Sequence, residues 1–232
     1  MNEILLNSTY FGVAISIFAY WIGFQIKKKW DYPLCNPLLL ATIIVIAFLA
    51  LTKIDYETYN NGAKYITYFL TPATICLAVP LYKQFETLKK NSLAALTGLL
   101  CGCMAHVLIM VGIAVLFHVN DELPLSLLSK SVTTPIALGI TNEIGGIQAV
   151  TVIGVVVAGI LGAVLGPTIL KICKIEEPVA QGLGMGTASH AVGTSKALEM
   201  GEIQAAMSSL AIVVTGLMTV IIVPIAVRIF YS

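Results

Sequence analysis

From Tyr10 to Ile229 the chain is a series of apolar runs, most of them long enough to cross a membrane. Two stretches interrupt the series and are too polar and too rich in glycine to be ordinary spans. A helix crossing the hydrocarbon core needs about 20 apolar residues. On that measure Tyr10 to Ile26, Asn36 to Thr52, Tyr65 to Tyr82, Ser92 to Phe117, Ile147 to Leu170 and Ala205 to Ile229 are read as spans, the third carrying Pro72 and Pro80. Only 11% of the 232 residues are charged, against roughly 25% in soluble domains. A soluble core is excluded, and an all-α, polytopic protein forming a single integral membrane domain over 1–232 is expected. The net charge of +1 leaves no basic footprint for nucleic acid.

The interruptions are Ser131 to Gly146, "SVTTPIALGITNEIGG", and Gly182 to Glu199, "GLGMGTASHAVGTSKALE". Backbone that leaves the helical hydrogen-bond pattern survives in a membrane only where protein covers it or a watery cavity meets it. Both stretches are therefore read as broken or re-entrant helices inside the protein. Cytoplasmic loops collect positive charge. Lys27 to Lys29, then Lys83, Lys89 and Lys90, then Lys171 and Lys174 are placed inside, and Asp121 and Glu122 outside. For this topology to close, Ser131 to Gly146 must return to the side it left.

Sliding the chain over itself by half its length sets Thr71 against Thr187, Glu86 against Glu202 and Ser92 against Ser208. Each element of the pair is interrupted, begins with Thr, and is followed by a polar turn and a long apolar run. Paired interruptions in corresponding halves point to a transporter's binding site. Two structural repeats, 1–116 and 117–232, are expected, either inverted or parallel.

Three segments carry a resemblance: "FLTPATICLAVPLYK" (Phe69 to Lys83), "KSVTTPIALGI" with "NEIGGI" (Lys130 to Ile147), and "GLGMGTASHAVGTSKALE". In this order they resemble the LrgB/CidB family of bacterial membrane proteins, over essentially the whole chain. The resemblance implies a multi-pass protein of the bacterial cell membrane. It also implies an antiholin-like or holin-like setting, with effects on murein hydrolase activity and autolysis. The family is similar to the C-terminal half of the plastid glycolate/glycerate transporter. That likeness implies transport of small 2-hydroxy or 2-keto monocarboxylates such as glycolate, glycerate, lactate or pyruvate. It further implies a separately encoded small LrgA/CidA-type membrane partner.

The residues suit a carboxylate. An anion entering the membrane must exchange water for fixed donors, and half-helix N-termini, hydroxyls and a cation supply them. Thr187, Ser189, His190, Gly193, Thr194, Ser195 and Lys196 are the leading candidates, joined by Thr71, Thr74, Thr133 and Thr134. Lys196 supplies the charge, snorkels to the interface, or pairs with Glu199 one turn on. His190, Glu143 and Asn142 are candidates for ion or proton coupling, and His190 is equally read as a structural cap. Either role for Glu143 needs burial. Thr133 or Thr134 is placed to cap a helix begun by Pro135. His106 is read as a packed polar residue bonded to a neighbouring helix.

Other classes fare worse. No G-x-S-x-G elbow accompanies Ser189, Ser195 and His190, so an enzyme is not expected. Cys101 and Cys103 lack the second pair that a zinc site needs, and no metal or cofactor is expected. Two functions from different classes remain: a secondary transporter of small carboxylates, with or without a coupled proton, and an antiholin-like regulator that transports nothing. A homodimer is the default assembly.

Overall fold

Helices account for nearly all of the described backbone, as lipid demands. The computed structural model describes residues 10–30, 35–69, 72, 75–76 and 78–231. It divides into two compact units, Met1–Cys76 and Leu77–Ser232.

In the first unit, α1 (Phe11–Lys29) packs against both α2 (Pro37–Thr52) and α3 (Tyr56–Thr67). Asn36 caps α2, its side chain accepting from the Leu38 N–H at 2.9 Å, and Pro37 begins the helix. Gly12 lets α1 meet α3 closely, because a Cβ there would overlap Tyr59 O and Ala63 N. Ser16 Oγ donates to Gly12 O at 2.7 Å and so accepts from the Tyr59 hydroxyl, also at 2.7 Å. The expected third span, Tyr65 to Tyr82, is not a single helix. Tyr65 lies in the last turn of α3, a helix that carries Glu57, Asn60, Asn61 and Lys64 and ends at Thr67, and Tyr68 and Phe69 form a turn after it. Thr71 and Thr74 lie outside the described residues.

The second unit holds α4 (Ala78–Lys83), α5 (Phe85–Lys90), α6 (Ser92–Leu116), α7 (Glu122–Leu127), α8 (Thr134–Ile144), α9 (Gln148–Ile172), α10 (Pro178–Met200) and α11 (Glu202–Phe230). Among the described residues α6, α9 and α11 are the helices long and apolar enough to cross a membrane; α2 is apolar but shorter. Their outer faces expose Leu108, Ile153, Leu161, Val213, Leu217 and Ile221, as lipid contact requires. The chain is thus an all-helical, multi-pass membrane protein.

Contacts fix the directions of the remaining pieces. The α10 backbone leaves helical geometry at His190, with φ 42° and ψ −133°. Beyond that point the chain doubles back. A Cβ at Gly193 would overlap the Met185 carbonyl, although residues eight apart in a straight helix are separated by about 12 Å. Met185 also clusters with Ala197 and Met200. The first arm runs antiparallel to α9, Met185 facing Gly166, Ser189 facing Gly162 and His190 facing Gly159. It runs parallel to α11, Gly182 facing Gln204 and Gly186 facing Ser208. So α10 is a hairpin that enters from the Lys171 end of α9, turns near the middle of that helix and leaves where it entered.

The α7–α8 segment is a second hairpin, inserted from the opposite end. Ser126 sits beside Gly146 and Ile147, while Leu127 and Lys130 reach down to Gly154. From the tip, α8 climbs back to Gly145, whose φ of 77° ends the helix. The segment therefore returns to the side it left, as the charge-based topology requires of it. A ladder of hydroxyls holds it in place. Ser129 Oγ bonds Thr141 Oγ1 at 3.0 Å, Thr141 bonds Thr151 at 2.9 Å, and Thr151 donates to Ser126 O at 2.8 Å. All four residues are fully buried.

Side-specific labelling tests this topology. In a cysteine-free background, Lys174→Cys and Gly201→Cys are expected to react with an impermeant maleimide from one face, and Asp121→Cys from the other. Reaction of 174 and 201 from opposite faces would overturn the α10 hairpin.

Candidate functional site

The tip of α10 is tightly built. His190 is buried, and its Nε2 donates to Val155 O at 3.0 Å. Thr194 Oγ1 lies 3.0 Å from His190 O and 2.7 Å from Ser208 Oγ, tying the second arm to α11. A non-glycine residue at this backbone position is strained by roughly 1–3 kcal/mol, and these bonds hold it there. Gly159, Gly162 and Gly166 form a smooth face on α9 against which the first arm lies. Gly182 and Gly186 do the same toward α11, a small-xxx-small contact. The glycines expected to open backbone to a ligand are here largely spent on helix packing. Gly184 differs, since it is exposed and faces a cavity.

That cavity, of about 830 Å³, lies between α6, the first arm of α10, α11 and the tip of the α7–α8 hairpin. Asn91 and Glu177 stand where α6 and α10 begin, and Ile109 is lined 18 residues further along α6, so the cavity follows that helix for roughly 27 Å. Its walls are mostly apolar, as ligand pockets are. Its deep end carries Lys130, Ser131 and His106.

Lys130 is half-buried, and Nζ lies 3.4 Å from His106 Nδ1 and 3.4 Å from Met110 Sδ. It is the only cation among the residues lining the cavity, and no described carboxylate forms an ion pair with it. The lining threonines direct their hydroxyl protons to their own helices, Thr187 to Leu183 O at 2.7 Å, Thr219 to Thr215 O at 2.6 Å, and Thr215 to Ala211 O. Glu177 accepts from the Ala180 N–H at 2.9 Å, capping its own helix. A charge held at this depth without a counter-ion is costly unless a ligand answers it. The arrangement can receive a small anion.

The structure brings together only some of the residues singled out from sequence. Thr187 lines the cavity. Ser189 is 1% exposed, packs on Gly162, and its Oγ has no hydrogen-bond partner among the described residues. His190, Gly193 and Thr194 form the hairpin turn beside it. Ser195 is exposed and donates to Ala191 O at 3.1 Å. Lys196 Nζ is 2.6 Å from Glu199 Oε2, one turn on, outside the cavity lining. Thr133 occupies the N-cap position of α8 without a side-chain capping bond, and Thr134 follows it. Asn142 and Glu143 are exposed, Asn142 accepting from Gln148 Nε2 at 3.5 Å, so the burial that a role for Glu143 requires is not met in this chain alone. Sequence reasoning passed over Lys130 and His106 as site residues. The signal was there: a lysine in a segment that must re-enter the membrane, and a histidine in the middle of an apolar span.

The family described as the LrgB-like family matches residues 16–229. The chain is 39% identical to the antiholin-like protein LrgB of Bacillus subtilis (strain 168), over 95% of this chain and 96% of that one. It is also 39% identical to the proteins of the same name from Bacillus cereus (strain B4264) and Bacillus anthracis (strain CDC 684 / NRRL 3495), in each case over 93% of this chain and 94% of the relative. No solved structure matches.

A double substitution tests the seat of the hairpin. A Cβ at Gly162 would overlap Ser189. Gly162→Ala is expected to cost about 1–3 kcal/mol, as overpacking does, read as a lower melting temperature in detergent. Ser189→Gly on the same protein is expected to recover part of that loss. Additive losses would show that the two residues do not touch.

Proposed function

Because this chain belongs to the LrgB-like family, we propose that it serves in the antiholin-like capacity for which its relatives are named, as a membrane regulator of murein hydrolase activity and autolysis, and that its own molecular activity is carriage of small 2-hydroxy or 2-keto monocarboxylates. The names of the relatives support the first half of this reading. One observation supports the second: Lys130, without a carboxylate partner, at the deep end of a cavity between two hairpins inserted from opposite sides. A non-transporting regulator has no need of such a charge at that depth. The two halves are compatible: in this reading carboxylate flux alters proton balance across the membrane, and that change is the signal passed to the wall hydrolases.

In this reading Lys130 binds the carboxylate by a charge-assisted hydrogen bond. Thr187 and Ser131 stand along the same cavity and offer oxygen lone pairs to the 2-hydroxyl group. The first arm of α10, from Val179 to Ala188, forms one wall of the cavity, and Ala158 of α9 reaches it beside the hairpin tip. Lys196, held by Glu199, takes the secondary role of a surface ion pair. A two-fold homodimer and a small membrane partner complete the proposed assembly, both open to crosslinking in native membranes.

Uptake of labelled lactate, glycolate or pyruvate into proteoliposomes is the test. The parent is expected to exceed protein-free vesicles. Lys130→Met, which keeps length and removes charge, is expected to raise the half-saturating concentration about ten- to hundredfold, the equivalent of a charge-assisted bond of roughly 1.5–3 kcal/mol. Lys196→Met is expected to change it less. No uptake by the parent would sink carriage and leave the regulator reading. Equal kinetics in Lys130→Met and the parent would sink the assignment of Lys130.

A further inference from the structure

We propose that His106 is the group that takes up a proton when a carboxylate binds Lys130, making carriage an electroneutral symport of one carboxylate with one proton; this rests on the carriage reading above. The geometry of the imidazole carries the argument. His106 Nε2 lies 3.0 Å from Leu128 O. A carbonyl only accepts, so Nε2 holds the ring proton. In the neutral ring Nδ1 is then an unprotonated acceptor, and Lys130 Nζ donates to it across 3.4 Å. The ammonium both blocks Nδ1 and repels a second positive charge there. Both groups line the deep end of the same cavity.

A carboxylate entering that end redirects the Lys130 N–H from Nδ1 to its own oxygen and neutralises the ammonium. The Nδ1 lone pair is then free, and it takes a proton from a hydronium ion that enters from the same side: an O–H bond breaks, an N–H bond forms and neutral water is left. The resulting imidazolium donates from Nε2 to Leu128 O and from Nδ1 to the carboxylate. The site then holds two positive charges with one negative charge. Before binding it held one positive charge, so the bound carboxylate and proton together add no net charge. Release runs in reverse. The carboxylate leaves, Lys130 returns to Nδ1, and the proton departs on the same side.

The other groups facing the pair do not compete for this role. Titratable residues on the cavity wall besides Lys130 and His106 are Cys103 on α6 and Glu177 at the base of α10. Glu177 caps its own helix at the far end of the cavity. α9 contributes Ala158, and α11 contributes Thr215, Thr219, Ile222 and Val223, none of which titrates in the range of histidine. His190 has its own partner, Val155 O, and does not line the cavity.

Two measurements test the proposal. In proteoliposomes, an inward proton gradient of one pH unit is expected to accumulate lactate about tenfold over the level without a gradient, for one proton per carboxylate, at an initial rate above that of protein-free vesicles. The parent's initial rate, less that of protein-free vesicles, is likewise expected to rise with the gradient, and in His106→Gln the ratio of these rates, gradient to no gradient, is expected to fall to about one whatever the absolute rate. In parallel, protein labelled with ¹⁵N-histidine and carrying His118→Gln keeps two rings, and His190, bonded to Val155 O outside the cavity lining, is expected to hold its pattern, so that a lactate-dependent change belongs to His106. Saturating L-lactate is expected to move its ring signals from the neutral Nε2–H pattern to that of the imidazolium. A parent that carries no lactate defeats the carriage reading itself. A parent that carries lactate with a ratio near one, a His106→Gln protein with the parent's ratio, or His106 signals unmoved by lactate would each overturn the proton role and leave carriage standing. The spectroscopic arm keeps His106 intact, so it decides even where His106→Gln fails to fold.

Discussion

Both hairpins end on the middle of α9, and this shared footing is the constraint on which the rest of the structure depends. Backbone that breaks out of a helix inside a membrane must have its polar groups satisfied by protein. At Gly154 the side chain is missing, so Leu127 and Lys130 can approach from one side. At Gly159 and Gly162 it is missing again, so His190 and Ser189 can approach from the other. Between them Val155 offers its carbonyl to His190. Larger residues at these positions would push both tips away from the centre and leave their backbones in lipid.

The two tips solve the same problem with different chemistry. The α7–α8 tip is held by a relay of hydroxyls from Ser129 through Thr141 and Thr151 to Ser126 O. Ser129 enters the chain as a donor, Thr141 and Thr151 each accept once and donate once, and the chain ends on a carbonyl, so it closes without a charge. The α10 tip relies on a strained residue braced by a ring nitrogen and by the Thr194–Ser208 pair. The void left beside the tips and the first arm is the cavity. Its charge comes from Lys130, which the hydroxyl relay places at the right depth. Structure and proposed activity are thus linked through one hairpin tip: a relay that fixes Ser129 also fixes Lys130.

Much of this was legible in the sequence, and the reasons it was or was not are physical. The spans α6, α9 and α11 follow from apolar length alone. The two interruptions were legible because Gly, Ser, Thr and Pro at that density are incompatible with a plain span, and both are re-entrant as expected. Tyr65 to Tyr82 misled because its composition is apolar while Tyr65 belongs to the end of an amphipathic helix. Lys196 misled because composition cannot say which way a side chain points, and here it meets Glu199. Lys130 and His106 lie 24 residues apart in sequence. Nothing local joins them, and only the return of the α7–α8 hairpin to the level of His106 does so.

The central claim is that a single positive charge at the meeting point of two hairpins receives a small carboxylate. Titration calorimetry on the pure detergent-solubilised protein tests it most directly, with L-lactate and its uncharged amide, lactamide, as the paired probes. They match in size and in the 2-hydroxyl group and differ in the charge that Lys130 answers. The account requires saturable heat with lactate and none with lactamide over the same concentrations. Equal binding of the two, or saturable binding of neither, would contradict it.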